Sequence, residues 1–177
     1  MMMQMLRAGG VPLLVDDVRK ADEDNPRGYF ELEAVKRTRR DLLWLEGAPG
    51  KAVKVIHALL ADLPVDQAYR VIFMQRNIDE VVQSQEAMLA RTGREGASLS
   101  RERLAGALQR QVDQALAHLQ SHDCFAVRPT SYEQVITEPL GQAKAICRFL
   151  GRSLNVQAMA AAVQPTLYRQ QQRDGAT

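Results

Sequence analysis

The stretch Tyr69-Arg70-Val71-Ile72-Phe73-Met74-Gln75-Arg76-Asn77 restricts the possible folds more than any other in the chain. Its first six residues are rich in β-branched and aromatic side chains and read as a buried strand. At Asn77 the apolar spacing changes from strand-like to helical, with Ile78, Val81, Val82, Gln85 and Leu89 along one side. Asn77 can cap that helix, and Glu80, three residues later, can complete a capping box. A strand that runs straight into a capped helix is a βα unit. Such units need further strands beside them and helices over the sheet.

Further elements alternate along the chain. Residues 1 to 8 are helix formers ended by Gly9-Gly10. Val11 to Val15 and Lys51 to Ile56 are expected to be short strands, and Asn25-Pro26-Arg27-Gly28 a turn. Phe30 to Leu45 keeps roughly helical spacing up to Gly47-Ala48-Pro49-Gly50. A loop rich in Gly and Ser, Thr92 to Ser100, precedes a long helix from about Arg101 to Gln120. Cys124 to Arg128 is a last strand, Leu140 to Leu150 an amphipathic helix stopped by Gly151, and Val156 to Val163 a small-residue helix. The sequence therefore predicts one α/β domain over residues 1–177, built on a mostly parallel sheet.

Composition narrows the classes. With 177 residues, 46% of them hydrophobic and 25% charged, the chain can bury a core and is not of the disordered kind. A net charge of +2 carries no nucleic-acid footprint, and no apolar run approaches the ~20 residues of a bilayer span. Two cysteines and no leader pattern point to a reducing cytoplasm. Eighteen of the 23 basic residues are Arg, which suits planar recognition of anions but also follows from a GC-rich genome.

In open α/β sheets ligands bind beyond the carboxyl ends of strands, where Arg76 stands. Ser84 lies about 10 Å along the helix at ~1.5 Å per residue. Together a guanidinium and a hydroxyl so set could hold a phosphate. Equally, Arg76 could pair with a nearby carboxylate while Ser84 faces solvent. His118, His122 and Cys124 form a run with no evident fourth ligand, so no metal site is assigned. Trp44 and its neighbouring Leu residues are read as core.

The segment Arg76-Asn77-Ile78-Asp79-Glu80-Val81-Val82-Gln83-Ser84 resembles the 3′-phosphate-binding segment of the sulfotransferase family. The resemblance continues in Asn25 to Glu31, in Ser131-Tyr132-Glu133, in Pro139 through Phe149-Leu150-Gly151, and in Pro165 to Arg169. It implies a P-loop NTPase-like three-layer domain using 3′-phosphoadenosine 5′-phosphosulfate (PAPS) as co-substrate. By the same resemblance Arg76 and Ser84 would bind the 3′-phosphate, and Tyr132 would lie by the adenine, its alternative being a structural role. The acceptor would be a small molecule or carbohydrate bearing a hydroxyl or amine; oligomeric state is open, a homodimer included. Nucleic acid and membrane are not expected partners.

The family's Gly-rich phosphate loop does not occur in these residues. Gly47-Ala48-Pro49-Gly50-Lys51-Ala52 has too short a Gly spacing and precedes a strand, so it is read as a turn. The expectation is a chain that starts after the first strand and the loop, with impaired activity. A non-catalytic binding protein on the same fold is the rival, and the codons upstream of Met1 discriminate the two. Sulfuryl transfer needs a base and cations near the transferring group. His57, at the expected strand end, resembles the base of the cytosolic branch, and Glu31 that of other branches. Lys54 would stabilise charge. Their bland alternatives are a histidine satisfied by backbone, a solvated first-turn Glu and a surface Lys.

Overall fold

The computed structural model describes residues 1–22, 25, 27–92 and 100–163, without the side chains of 87, 88 and 90–92. Strand β1 (Tyr69–Gln75) pairs in parallel with β2 (Phe125–Ser131), in register from Tyr69 opposite Phe125 to Gln75 opposite Ser131. A parallel pair requires a long crossover, which is supplied by α2 (Ile78–Thr92) and α3 (Arg101–Gln120). Around these lie α1 (Met2–Ala8), α4 (Tyr132–Thr137), α5 (Pro139–Leu150) and α6 (Val156–Ala161).

The alternation of β1 sends its side chains into two cores. Tyr69, Val71 and Phe73 join Phe125 and Val127 of β2 against Ala115 and Leu119 of α3, with Leu45, Leu60 and Leu63 from the preceding segment. Ile72 and Met74 point the other way, onto Met5, Val135, Ile146 and Met159 of α1, α4, α5 and α6. The small sheet thus carries helices on both faces. Trp44 packs beside the first core, as expected, and donates Nε1–H to Thr38 Oγ1 at 3.2 Å.

Caps set the helix ends. Ser100 Oγ accepts from Arg103 N, Ser131 Oγ from Gln134 N, and Asn155 Oδ1 from Ala158 N. Gly151 adopts φ 63°, a left-handed stop that only glycine takes without strain. Just before it, the Arg70 guanidinium of β1 donates to the Phe149 carbonyl, tying the end of α5 to the sheet.

Three expected elements form otherwise. The strands at Val11 to Val15 and Lys51 to Ile56 reduce to one parallel bridge, Leu13 with Ala52. Ala52 N donates to Pro12 O and Leu14 N to Ala52 O, both at 2.9 Å. Pro12 has no N–H to extend the ladder. The helix expected over Phe30 to Leu45 is replaced by two 3-10 turns, Glu33–Arg37 and Leu43–Gly47. Side chains compete there for backbone groups: Thr38 Oγ1 donates to Val35 O, and Asp41 Oδ1 accepts from Leu43 N. His57 does not end a strand but opens a third 3-10 turn, His57–Asp62. Gly47 to Lys51 is a turn, as read, with Lys51 N bonded to Ala48 O at 2.9 Å. Most of the Thr92 to Ser100 loop and the Pro165 to Arg169 segment lie outside the described residues.

Candidate functional site

The β1–β2 register builds the first cluster. Gln75 stands opposite Ser131, so the next residue of each chain segment, Arg76 and Tyr132, leaves the sheet at the same edge. There the Arg76 guanidinium lies over the Tyr132 ring, 5.1 Å from its centroid. Asn77 Oδ1 accepts from Asp79 N at 2.8 Å and starts α2. One turn further, Glu80 accepts from Arg76 Nε at 3.0 Å. Only 9% of the Glu80 side chain is exposed, against 26% for Arg76. Burial pushes the Tyr132 hydroxyl above the usual phenol range; the Glu80 charge adds to this and the Arg76 charge opposes it.

Ser84 is half-buried on α2, four residues beyond Glu80 and eight beyond Arg76. At ~3.6 residues per turn Glu80 and Ser84 share one side of α2, while Arg76 precedes the helix at the end of β1. The carboxylate pairing foreseen as the alternative for Arg76 is present, and among the described residues no hydrogen bond joins Arg76 to Ser84. By sequence alone Glu80 reads only as a capping residue. The i, i+4 spacing of Arg76 and Glu80 was the signal that could have revealed the ion pair.

A second cluster surrounds Glu31, whose side chain is 19% exposed. Lys54 Nζ donates to Glu31 Oε1 at 2.9 Å and to the Tyr29 carbonyl at 3.3 Å. Arg19 reaches the same carboxylate at 3.3 Å while its guanidinium sits 3.3 Å from the Tyr29 ring centroid. The Tyr29 hydroxyl donates to Asp22, and Asp16 N donates to Glu31 O. Burial alone would push the Glu31 carboxyl up. The hydrogen bond and charge of Lys54, joined by Arg19, outweigh it and hold the carboxyl below its ordinary range. Phe30 between them has φ 52°, uncommon for a bulky residue, with its ring beneath Arg7 at 4.7 Å. Neither Arg19 nor Tyr29 was singled out from sequence, because their contacts span a loop whose path propensities do not specify.

His57 stands apart from these contacts. Its Nε2 lies 3.2 Å from Gln111 Oε1 on α3, so a side-chain amide, not backbone, meets the imidazole.

The profile described as "Sulfotransferase family" matches residues 25–155, well over half of the chain. The chain belongs to the sulfotransferase family. The matched region of this sulfotransferase-family chain contains Glu31, Lys54, His57, Arg76, Ser84 and Tyr132. No curated protein and no solved structure matches it. Among the described residues no helix is long and apolar enough to cross a membrane.

Proposed function

We propose that this sulfotransferase-family chain binds PAPS on a P-loop-type three-layer domain and directs its sulfuryl group to an acceptor hydroxyl or amine. The observation that carries this is the Arg76 guanidinium at the exit of β1, held between the Glu80 carboxylate and the Tyr132 ring. A cation fixed at a strand end on the edge of a sheet suits a phosphate. Arg76 and Ser84 would grip the 3′-phosphate, and Tyr132 would flank the adenine.

Of the two candidate bases, His57 fits the task better. Glu31 is kept ionised by Lys54 and Arg19, and a carboxylate of lowered pKa is a weaker proton acceptor near neutral pH. Its role in this scheme is to hold Lys54 beside the reacting group. His57 takes the acceptor's proton as the acceptor oxygen or nitrogen attacks sulfur. The sulfur–oxygen bond to the 5′-phosphate breaks, and adenosine 3′,5′-bisphosphate leaves with the electron pair. Small-molecule or carbohydrate acceptors fit such a scheme.

Calorimetry with adenosine 3′,5′-bisphosphate tests the reading. Arg76→Ala removes charge-assisted hydrogen bonds of about 1.5–3 kcal/mol, so affinity should fall at least ~10-fold. Equal affinity of variant and parent would refute it. The rival reading is a binding protein on the same fold without chemistry. That rival predicts binding sensitive to Arg76 with no transfer of sulfate from PAPS.

A further inference from the structure

We infer that Glu80 is the positioning residue that makes the Arg76–Tyr132 corner selective for a 3′-phosphate; this rests on the donor-binding reading above. Among the described residues, two contacts hold the guanidinium along different directions. Glu80 takes the Nε edge at 3.0 Å, and Tyr132 covers one face. Edge and face together leave the planar fork little freedom to rotate, so its terminal nitrogens are aimed before a ligand arrives. The anchor is itself well held. Glu80 is 7% exposed and lies in a helix that starts at the end of β1. Tyr132 is fixed from the other strand, through the Ser131 cap of α4.

The sign of the effect separates this role from two others. A carboxylate beside an arginine lowers the local positive charge. A mere counter-ion at position 80 would therefore oppose a phosphate, and its removal would tighten binding by on the order of fivefold. A purely structural role would weaken every adenine nucleotide alike. Positioning predicts weaker binding confined to the ligand that carries the 3′-phosphate, because a misaimed fork loses its bidentate geometry.

The experiment compares adenosine 3′,5′-bisphosphate with adenosine 5′-monophosphate by calorimetry on the 177-residue chain and two variants. Glu80→Leu keeps the volume and removes the acceptor. Glu80→Gln drops the charge but keeps an oxygen that can accept from Arg76 Nε. The expected result is a ~10-fold loss for the bisphosphate in Glu80→Leu, little change for the monophosphate, and selectivity within about threefold of the parent in Glu80→Gln. Bisphosphate binding more than about threefold tighter in either variant overturns the inference, as does a parallel loss for both nucleotides. If Glu80→Leu does not fold, as judged by its thermal transition, Glu80→Gln alone still decides: selectivity kept within about threefold supports the inference, and tightening beyond that overturns it. A parent that does not prefer the bisphosphate refutes the donor-binding reading itself, an outcome distinct from a selective parent whose variants stay equally selective.

Discussion

Replacing Gly9 by Ala should destabilise the protein, although alanine is the better helix former. Gly9 follows α1 with φ −74° and ψ −8°, a conformation alanine adopts freely, so the backbone term alone favours the variant by about 0.4–1 kcal/mol. Packing decides the other way. A Cβ at this position would lie 2.6 Å from Met159 Cγ and 2.8 Å from Met159 Sδ. Met159 is fully buried among Met5, Ile146 and Val135, so its side chain has no open space to swing into. Overpacking of this kind costs about 1–3 kcal/mol, which leaves a net loss of roughly 0.5–2 kcal/mol. For a chain of this size each kcal/mol lowers Tm by about 2–4 °C, so a fall of roughly 1–8 °C is expected by calorimetry or circular dichroism. Met159→Ala opens the space, and in that background the Gly9→Ala change should be neutral or stabilising. An unchanged or raised Tm for Gly9→Ala in the parent would refute the reasoning. Both residues lie outside the matched region 25–155, so the outcome also tests the α1–α6 contact independently of the family relationship.

Two further outcomes follow from the second cluster. Glu31 has a folded pKa held below the ordinary glutamate value of 4.5, so its contribution to stability is present above that value and is lost as pH falls through the folded one. The urea midpoint of Glu31→Gln should therefore fall below the parent's at neutral pH and converge with it in acid; a gap that persists or widens in acid would rule the ion pair out as the cause. His57→Asn should abolish sulfate transfer from PAPS while leaving adenosine 3′,5′-bisphosphate affinity unchanged, as read by calorimetry beside a transfer assay; retained transfer would move the base elsewhere.

The chain's local chemistry determined its clearest elements. β1 follows from a run of β-branched and aromatic residues, and α2, α3 and α5 begin or end at Asn77, Ser100 and Gly151, whose side chain or backbone freedom acts on residues within a turn. Arg76, Ser84 and Tyr132 were nameable from a family resemblance, because a motif survives as spacing along the chain. Other features belonged to tertiary structure alone. Whether Val11 to Val15 and Lys51 to Ile56 become strands depends on a partner distant in sequence, and only Leu13 and Ala52 find each other. Arg76 meets Tyr132 because the strand register aligns residues more than fifty apart in the chain. The ionisation of Glu31 depends on Lys54 and Arg19, which approach it from opposite directions along the sequence. Charge interactions and strand pairing act through space, whereas capping and propensity act along the backbone, and that difference divides what the residues announce from what the fold decides.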